Sequence, residues 1–313
     1  MLSTFSRIAA HLLCVGALIA APAISRADDV PQFIRFSKGK VEGTGALQIA
    51  QTTYASEKTG VKVVLYGVVH IADASYYKAV QADLDSYDAV LYEGVKPPEG
   101  VKPEDSEMSG LGDIQKTMGE LMGLTFQKDG INYHAKNLVH ADMSFDQMQK
   151  ASGGDMSKVM PGAGMFGPGM MKMIGSLMKS FGPMVVNYMN SNPAAQNSLK
   201  LQAAQQMIGQ LDTMMSGEFH RVIVVERNKV ALEVLDKELA NRKGGTLAIF
   251  YGAAHNRDFH ERLVARGFAK VDQTWKNAWT IGAFEMGDAA AKPTPPAPAP
   301  NAPSGLTPGK RYY

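Results

Sequence analysis

Residues 61–73 read VKVVLYGVVHIAD, and residues 246–258 read TLAIFYGAAHNRD. Each is a short β-rich apolar run that leads into one shared pattern, Tyr-Gly-x-x-His-x-x-Asp. Tyr66, Gly67, His70 and Asp73 fill it in the first stretch, and Tyr251, Gly252, His255 and Asp258 in the second. Continuous apolar runs are the mark of parallel strands buried on both faces. After each histidine the chain turns helical, over Asp73 to Leu84 and Asp258 to Arg266, with the aspartate in place to cap the helix. Residues 88–93 (DAVLYE) add another apolar run that ends in an acid. Strand, helix, strand is a βαβ unit, so the expected class is α/β: a mostly parallel sheet with flanking helices. Ala269 to Trp275 and Asn277 to Phe284 read as two closing strands.

The duplicated pattern also carries the chemistry. A glycine at the carboxyl end of a strand lets the chain turn sharply. The histidine then sits in the crevice where α/β sheets bind ligands. Two such units on neighbouring strands bring His70 and His255 to one side of the sheet. Glu93, at the end of the intervening strand, points into the same crevice. Two imidazoles and a carboxylate suit either a divalent metal with open positions or general acid–base work without one. Arg227, in Glu226-Arg227-Asn228, has two readings: it stabilises negative charge on a substrate oxygen, or it pairs with Glu93 or Asp142. Asp142 itself reads as the cap of the next helix, with a supporting partner of the site residues as the alternative. Residues 219–241 carry both strand and helix signals and are expected to form one long helix. No Gly-x-Ser-x-Gly elbow, His-Glu-x-x-His, Walker loop or dinucleotide fingerprint occurs.

The chain's ends and middle differ in composition. Residues 1–27 have the charge, apolar run and Ser25-Arg26-Ala27 end of a secretory signal cleaved after Ala27, with an uncleaved anchor as the alternative. Cleavage removes Arg7, Arg26 and Cys14, the only cysteine, and leaves 30 basic against 30 acidic side chains. That balance argues against nucleic acid, and the missing thiol excludes cysteine catalysis. Residues 28–59 read as an N-terminal extension and 60–287 as the α/β domain. Of 19 methionines, 14 fall between Met143 and Met215, and 150–217 reads as a Met-rich helical insertion. Its thioethers suit adaptable packing or a membrane or protein contact better than Cu(I) ligation. Residues 288–313 are a Pro/Ala-rich tail, expected to be disordered.

The GVVH and GAAH segments, the LYEG acid between them and the VVERN stretch together resemble the TraB/PrgY/GumN family, relatives of the Tiki metalloproteases. The likeness spans roughly residues 60–283, with the Met-rich stretch as a divergent insert. It implies an α/β fold related to erythromycin esterase and the haem-binding ChaN proteins. It also implies a metal-dependent hydrolytic centre in which His70, Glu93 and His255 are metal ligands and Glu93 and Arg227 act in catalysis. Where family members often have Glu-Arg-Asp, this chain has Glu-Arg-Asn. The resulting expectation is a periplasmic or secreted hydrolase, a peptidase using Mn²⁺, Co²⁺ or Zn²⁺ on a peptide or small-molecule substrate. The rival expectation is a non-catalytic peptide- or haem-binding protein of the same fold.

Overall fold

The computed structural model describes residues 30–102, 109–156, 180, 182–214 and 216–285. The signal-like residues 1–27, the Pro/Ala-rich tail and part of the Met-rich insertion lie outside these residues. Seven strands form the main sheet: β1 (Ile34–Lys38), β2 (Gly45–Ala55), β3 (Lys62–Val68), β5 (Ala89–Tyr92), β7 (Leu138–His140), β8 (Thr246–Gly252) and β9 (Ala269–Ile281). β4 (Ile71–Ala72) and β6 (Thr125–Phe126) make a separate two-stranded pair.

β3, β8, β5 and β7 lie side by side and parallel. β2 runs against β3, and both β1 and β9 run against β2. Only β2 is therefore reversed in an α/β sheet whose other strands share one direction. A helix, α1 (Ala74–Leu84), follows the first histidine motif. Another, α2 (Ser109–Leu121), precedes β6, and α3 (Phe145–Ala151) follows β7. A long helix, α4 (Pro193–Met214), lies in the Met-rich insertion. A π-helical stretch, His220–Glu226, runs straight into α5 (Arg227–Ala240), and α6 (Asn256–Ala265) follows the second histidine motif.

Both faces of the parallel strands are covered, which is why their sequences do not alternate. Leu65, Leu91 and Ile249 pack with Leu232, Leu235, Phe259 and Leu263 from α5 and α6. On the other face Val64, Tyr66, Val90 and Phe250 pack with Tyr76, Tyr77, Val80 and Leu84 of α1 and Ala204 of α4. Each such side chain contributes roughly 1.5–3 kcal/mol by leaving water. Truncating Leu65, which is fully buried, should cost about 2–5 kcal/mol.

Three expectations need correction. Residues 28–59 are not an extension, because β1 and β2 belong to the sheet and the folded unit begins at Gln32. Their sequence hides this: Gly45–Ala55 carries Gln48, Gln51, Thr52 and Thr53 where a core strand usually shows aliphatics, yet the first three are buried. The two closing strands are one, β9, which stays paired with β2 through register shifts at Leu47/Gln48 and Thr53/Tyr54. The shifts skip Ala278 and Val271, while Lys276 and Asn277, at the expected break, pair regularly with Ile49 and Gln48. Asp73 does not cap α1 with its side chain; it accepts from the Thr280 amide at 2.7 Å and pairs with buried Lys200 at 3.4 Å, joining the motif to β9 and α4. Residues 219–240 are helical, one residue short of the expected end at 241, with the π-helical turns ending at Glu226.

Candidate functional site

The carboxyl ends of β3, β8, β5 and β7 share one edge of the sheet, and Glu93 stands at its centre. Glu93 leaves the end of β5, and its amide donates to the Phe250 carbonyl at 3.1 Å. Each oxygen of its carboxylate accepts one hydrogen bond. The Gly252 amide donates to Oε2 at 2.6 Å, and Arg227 Nη2 donates to Oε1 at 2.8 Å. Arg227 also grips Asp142 through Nε at 2.9 Å and Nη2 at 2.6 Å. Asp142 accepts in addition from the amides of Gly94 at 2.8 Å and Met143 at 2.7 Å. Asp142 is thus an anchor for Arg227, and the cap of α3 is Ser144, in a reciprocal pair with Gln147.

These charges explain each other. Burial opposes ionisation of Glu93, yet Arg227, the neighbouring histidines and the Gly252 amide hold its carboxyl well below the usual carboxylate range. Burial likewise works against the Arg227 cation, and Asp142 and Glu93 reverse that and push it upward. A buried cation between the buried Asp142 and the largely buried Glu93 is stable only while all three remain.

His255 lies against this cluster with 4% of its surface exposed. Burial lowers it to about 4, so the ring is neutral at neutral pH. Its Nδ1 meets Asn228 Oδ1 at 2.6 Å, while Asn228 Nδ2 donates to the His255 carbonyl at 3.1 Å and to Asp258 at 2.8 Å. Both of those oxygens only accept, so the amide orientation is fixed and the His255 proton sits on Nδ1. The bare Nε2 faces Glu93 Oε1 at 3.8 Å. His70 is exposed, and it is near enough to act electrostatically on both Glu93 and His255. Its Nδ1 meets Gln127 Oε1 at 3.1 Å, and Gln127 Nε2 donates to Tyr133 Oη at 2.7 Å. Tyr92, Tyr133 and His140 form an aromatic wall next to Glu93, with ring centroids 5.5 Å apart in each Tyr92 pair.

The motif glycines serve close approach. A methyl at Gly67 would stand 2.8 Å from Asn256 Nδ2, 2.9 Å from Ile49 and 3.1 Å from Ala253. One at Gly252 would stand 3.3 Å from Glu93 Oε2. The first glycine lets the two motifs touch, and the second lets the backbone reach the acid.

All four residues singled out from sequence, His70, Glu93, Arg227 and His255, therefore meet at one edge. Arg227 is committed to its two acids, which is the ion-pair reading of that residue. Asp142, expected as an alternative partner of Arg227, does pair with it. Gln127, Asn228 and Tyr133 have no such place in the sequence reading, although Asn228 is the third residue of Glu-Arg-Asn.

The donor set bears on a metal in two ways. An ionised oxygen and a nitrogen lone pair 3.8 Å apart repel each other, and an ion about 2.1 Å from each fits between atoms so spaced. Among the described residues, however, no group of three or more His, Cys, Asp or Glu side chains is arranged to hold a metal. The residues fit a loosely held ion with open positions better than a closed structural cage. Among the same residues no helix is long and apolar enough to cross a membrane. In comparison with known proteins, the chain matches no family model, no curated protein and no solved structure.

Proposed function

We propose that this protein is an exported, metal-dependent hydrolase of the TraB/PrgY/GumN type, acting on a peptide. One observation carries the reading: a neutral imidazole with a bare Nε2 faces an ionised carboxylate at the carboxyl edge of an α/β sheet, with a second imidazole close by. Such an edge is where open α/β sheets bind ligands. The four short sequence motifs support the family, and the signal-like residues 1–27 support export.

His255 Nε2 and Glu93 Oε1 would hold the ion, with His70 completing the set from the exposed side. A bound Mn²⁺, Co²⁺ or Zn²⁺ supplies Lewis acidity, which acidifies a water at neutral pH. Glu93, held strongly ionised by Arg227, is a better ligand than base, because a useful base has a pKa near the working pH. Arg227 keeps Glu93 in place and charged. Asp142, tied by two backbone amides, keeps Arg227 in place. The Tyr92, Tyr133 and His140 wall gives an apolar group of the substrate a surface beside the acid.

The test is cleavage of a fluorogenic peptide library by purified mature protein, with chelator and then with each metal. Metal-stimulated cleavage that His70→Ala and His255→Ala both abolish, in proteins that stay folded, is the expected result. Full activity in either variant removes the reading. A Soret shift with haemin and no cleavage replaces it with a binding function.

A further inference from the structure

We propose that Gln127 and Asn228 are positioning residues, which hold His70 and His255 in one tautomer with the proton on Nδ1 and Nε2 left as the lone-pair nitrogen. This deepens the hydrolase reading and rests on it for its purpose, although the tautomers themselves are a property of the protein alone.

The case is strongest at Asn228. Its side chain is fully buried and both ends are spoken for. An aspartate there would lose the donation to the His255 carbonyl and would set a carboxylate against Asp258. The glutamine repeats the device from an unrelated element. β6 pairs with β4 directly after His70, with Ile71 opposite Phe126, and the Gln127 amide donates to the His70 carbonyl at 2.8 Å. Gln127 therefore starts beside the first motif by backbone pairing, and its 6% exposed side chain spans from Tyr133 to His70. Two amides from different parts of the chain thus present a carbonyl oxygen to the same nitrogen of each motif histidine. Histidines that bind metals commonly donate their second ring N–H in this way, which fixes the tautomer and the ring orientation. A neutral amide does so without adding a negative charge beside Glu93.

The experiment is a long-range ¹H–¹⁵N correlation spectrum of the mature protein, ¹⁵N-labelled at histidine and kept in chelator at neutral pH. His70→Ala and His255→Ala assign the two rings. Both should show the Nδ1–H pattern. Gln127→Met should turn His70 into a mixture containing the Nε2–H form and leave His255 unchanged. Gln127→Glu, which keeps an acceptor in place, should restore the Nδ1–H pattern. Co²⁺ titration should then give affinity roughly 10- to 100-fold weaker for Gln127→Met, with recovery in Gln127→Glu. An Nε2–H pattern at either ring in the native protein overturns the proposal, as does an unchanged His70 in Gln127→Met. Nδ1–H patterns without any Co²⁺ binding uphold the positioning and overturn the hydrolase reading instead. The native chain reports both rings directly, so the test of Asn228 needs no variant at that fully buried position.

Discussion

The two Tyr-Gly-x-x-His-x-x-Asp segments are alike in sequence and opposite in setting. His70 is exposed and its aspartate reaches back to β9. His255 is buried, and its aspartate holds Asn228 and Arg262 at 2.8 and 2.7 Å. The cause is register. β3 and β8 pair with Tyr66 opposite Phe250 and Gly67 opposite Tyr251, so the copies are staggered by one residue. A one-residue shift in a strand moves every side chain to the other face. Tyr66 therefore packs with α1, whereas Tyr251 packs with α5 and α6 and donates to the Ala141 carbonyl. One motif builds an open, accessible half of the site and the other a closed, charged half.

The largest expected effect breaks the closed half. Arg227→Met strands two buried carboxylates and should cost about 3–5 kcal/mol in urea unfolding. Arg262→Met, at the half-buried pair with Asp258 on the same motif's helix, should cost at most about 1 kcal/mol. Acid is the next probe. His255 has a folded value of about 4, below the usual 6.5. Between those values the unfolded chain takes up a proton that the native state resists, so stability falls as pH falls, by up to about 3 kcal/mol. Glu93, depressed in the folded state, adds to the loss below its unfolded value. His255→Gln should flatten the curve between the usual 6.5 and about 4.

The glycines sharpen the contrast. Gly67→Ala must push against Asn256 and Ile49 and should cost about 1–3 kcal/mol, whereas Gly252→Ala meets only a 3.3 Å contact and should cost less than about 1 kcal/mol. The smallest change belongs to the open half: His70→Ala should alter thermal stability by no more than about 0.5 kcal/mol, as exposed substitutions do.

The parallel core was legible because strands buried on both faces must be apolar throughout, and β3, β5 and β8 are. β1 and β2 were not, since Gln48, Gln51 and Thr52 fill buried positions of β2, with Gln48 bonded to Arg35 and Asn277. The histidines and Glu93 stood out by repetition and by ending apolar runs. Gln127 carries no such mark: it reaches the site through the pairing of β4 with β6, which spacing in a single sequence does not encode. The stagger that separates the copies was hidden too, because strand register depends on neighbours rather than on the motif.

Elemental analysis of the purified protein, beside His255→Ala and Glu93→Gln, tests the shared site most directly. We expect about one Mn, Co or Zn per chain after dialysis against that ion, lost in both variants while circular dichroism is retained. Equal metal content in native and variant proteins, or none in any of them, would contradict a shared metal site.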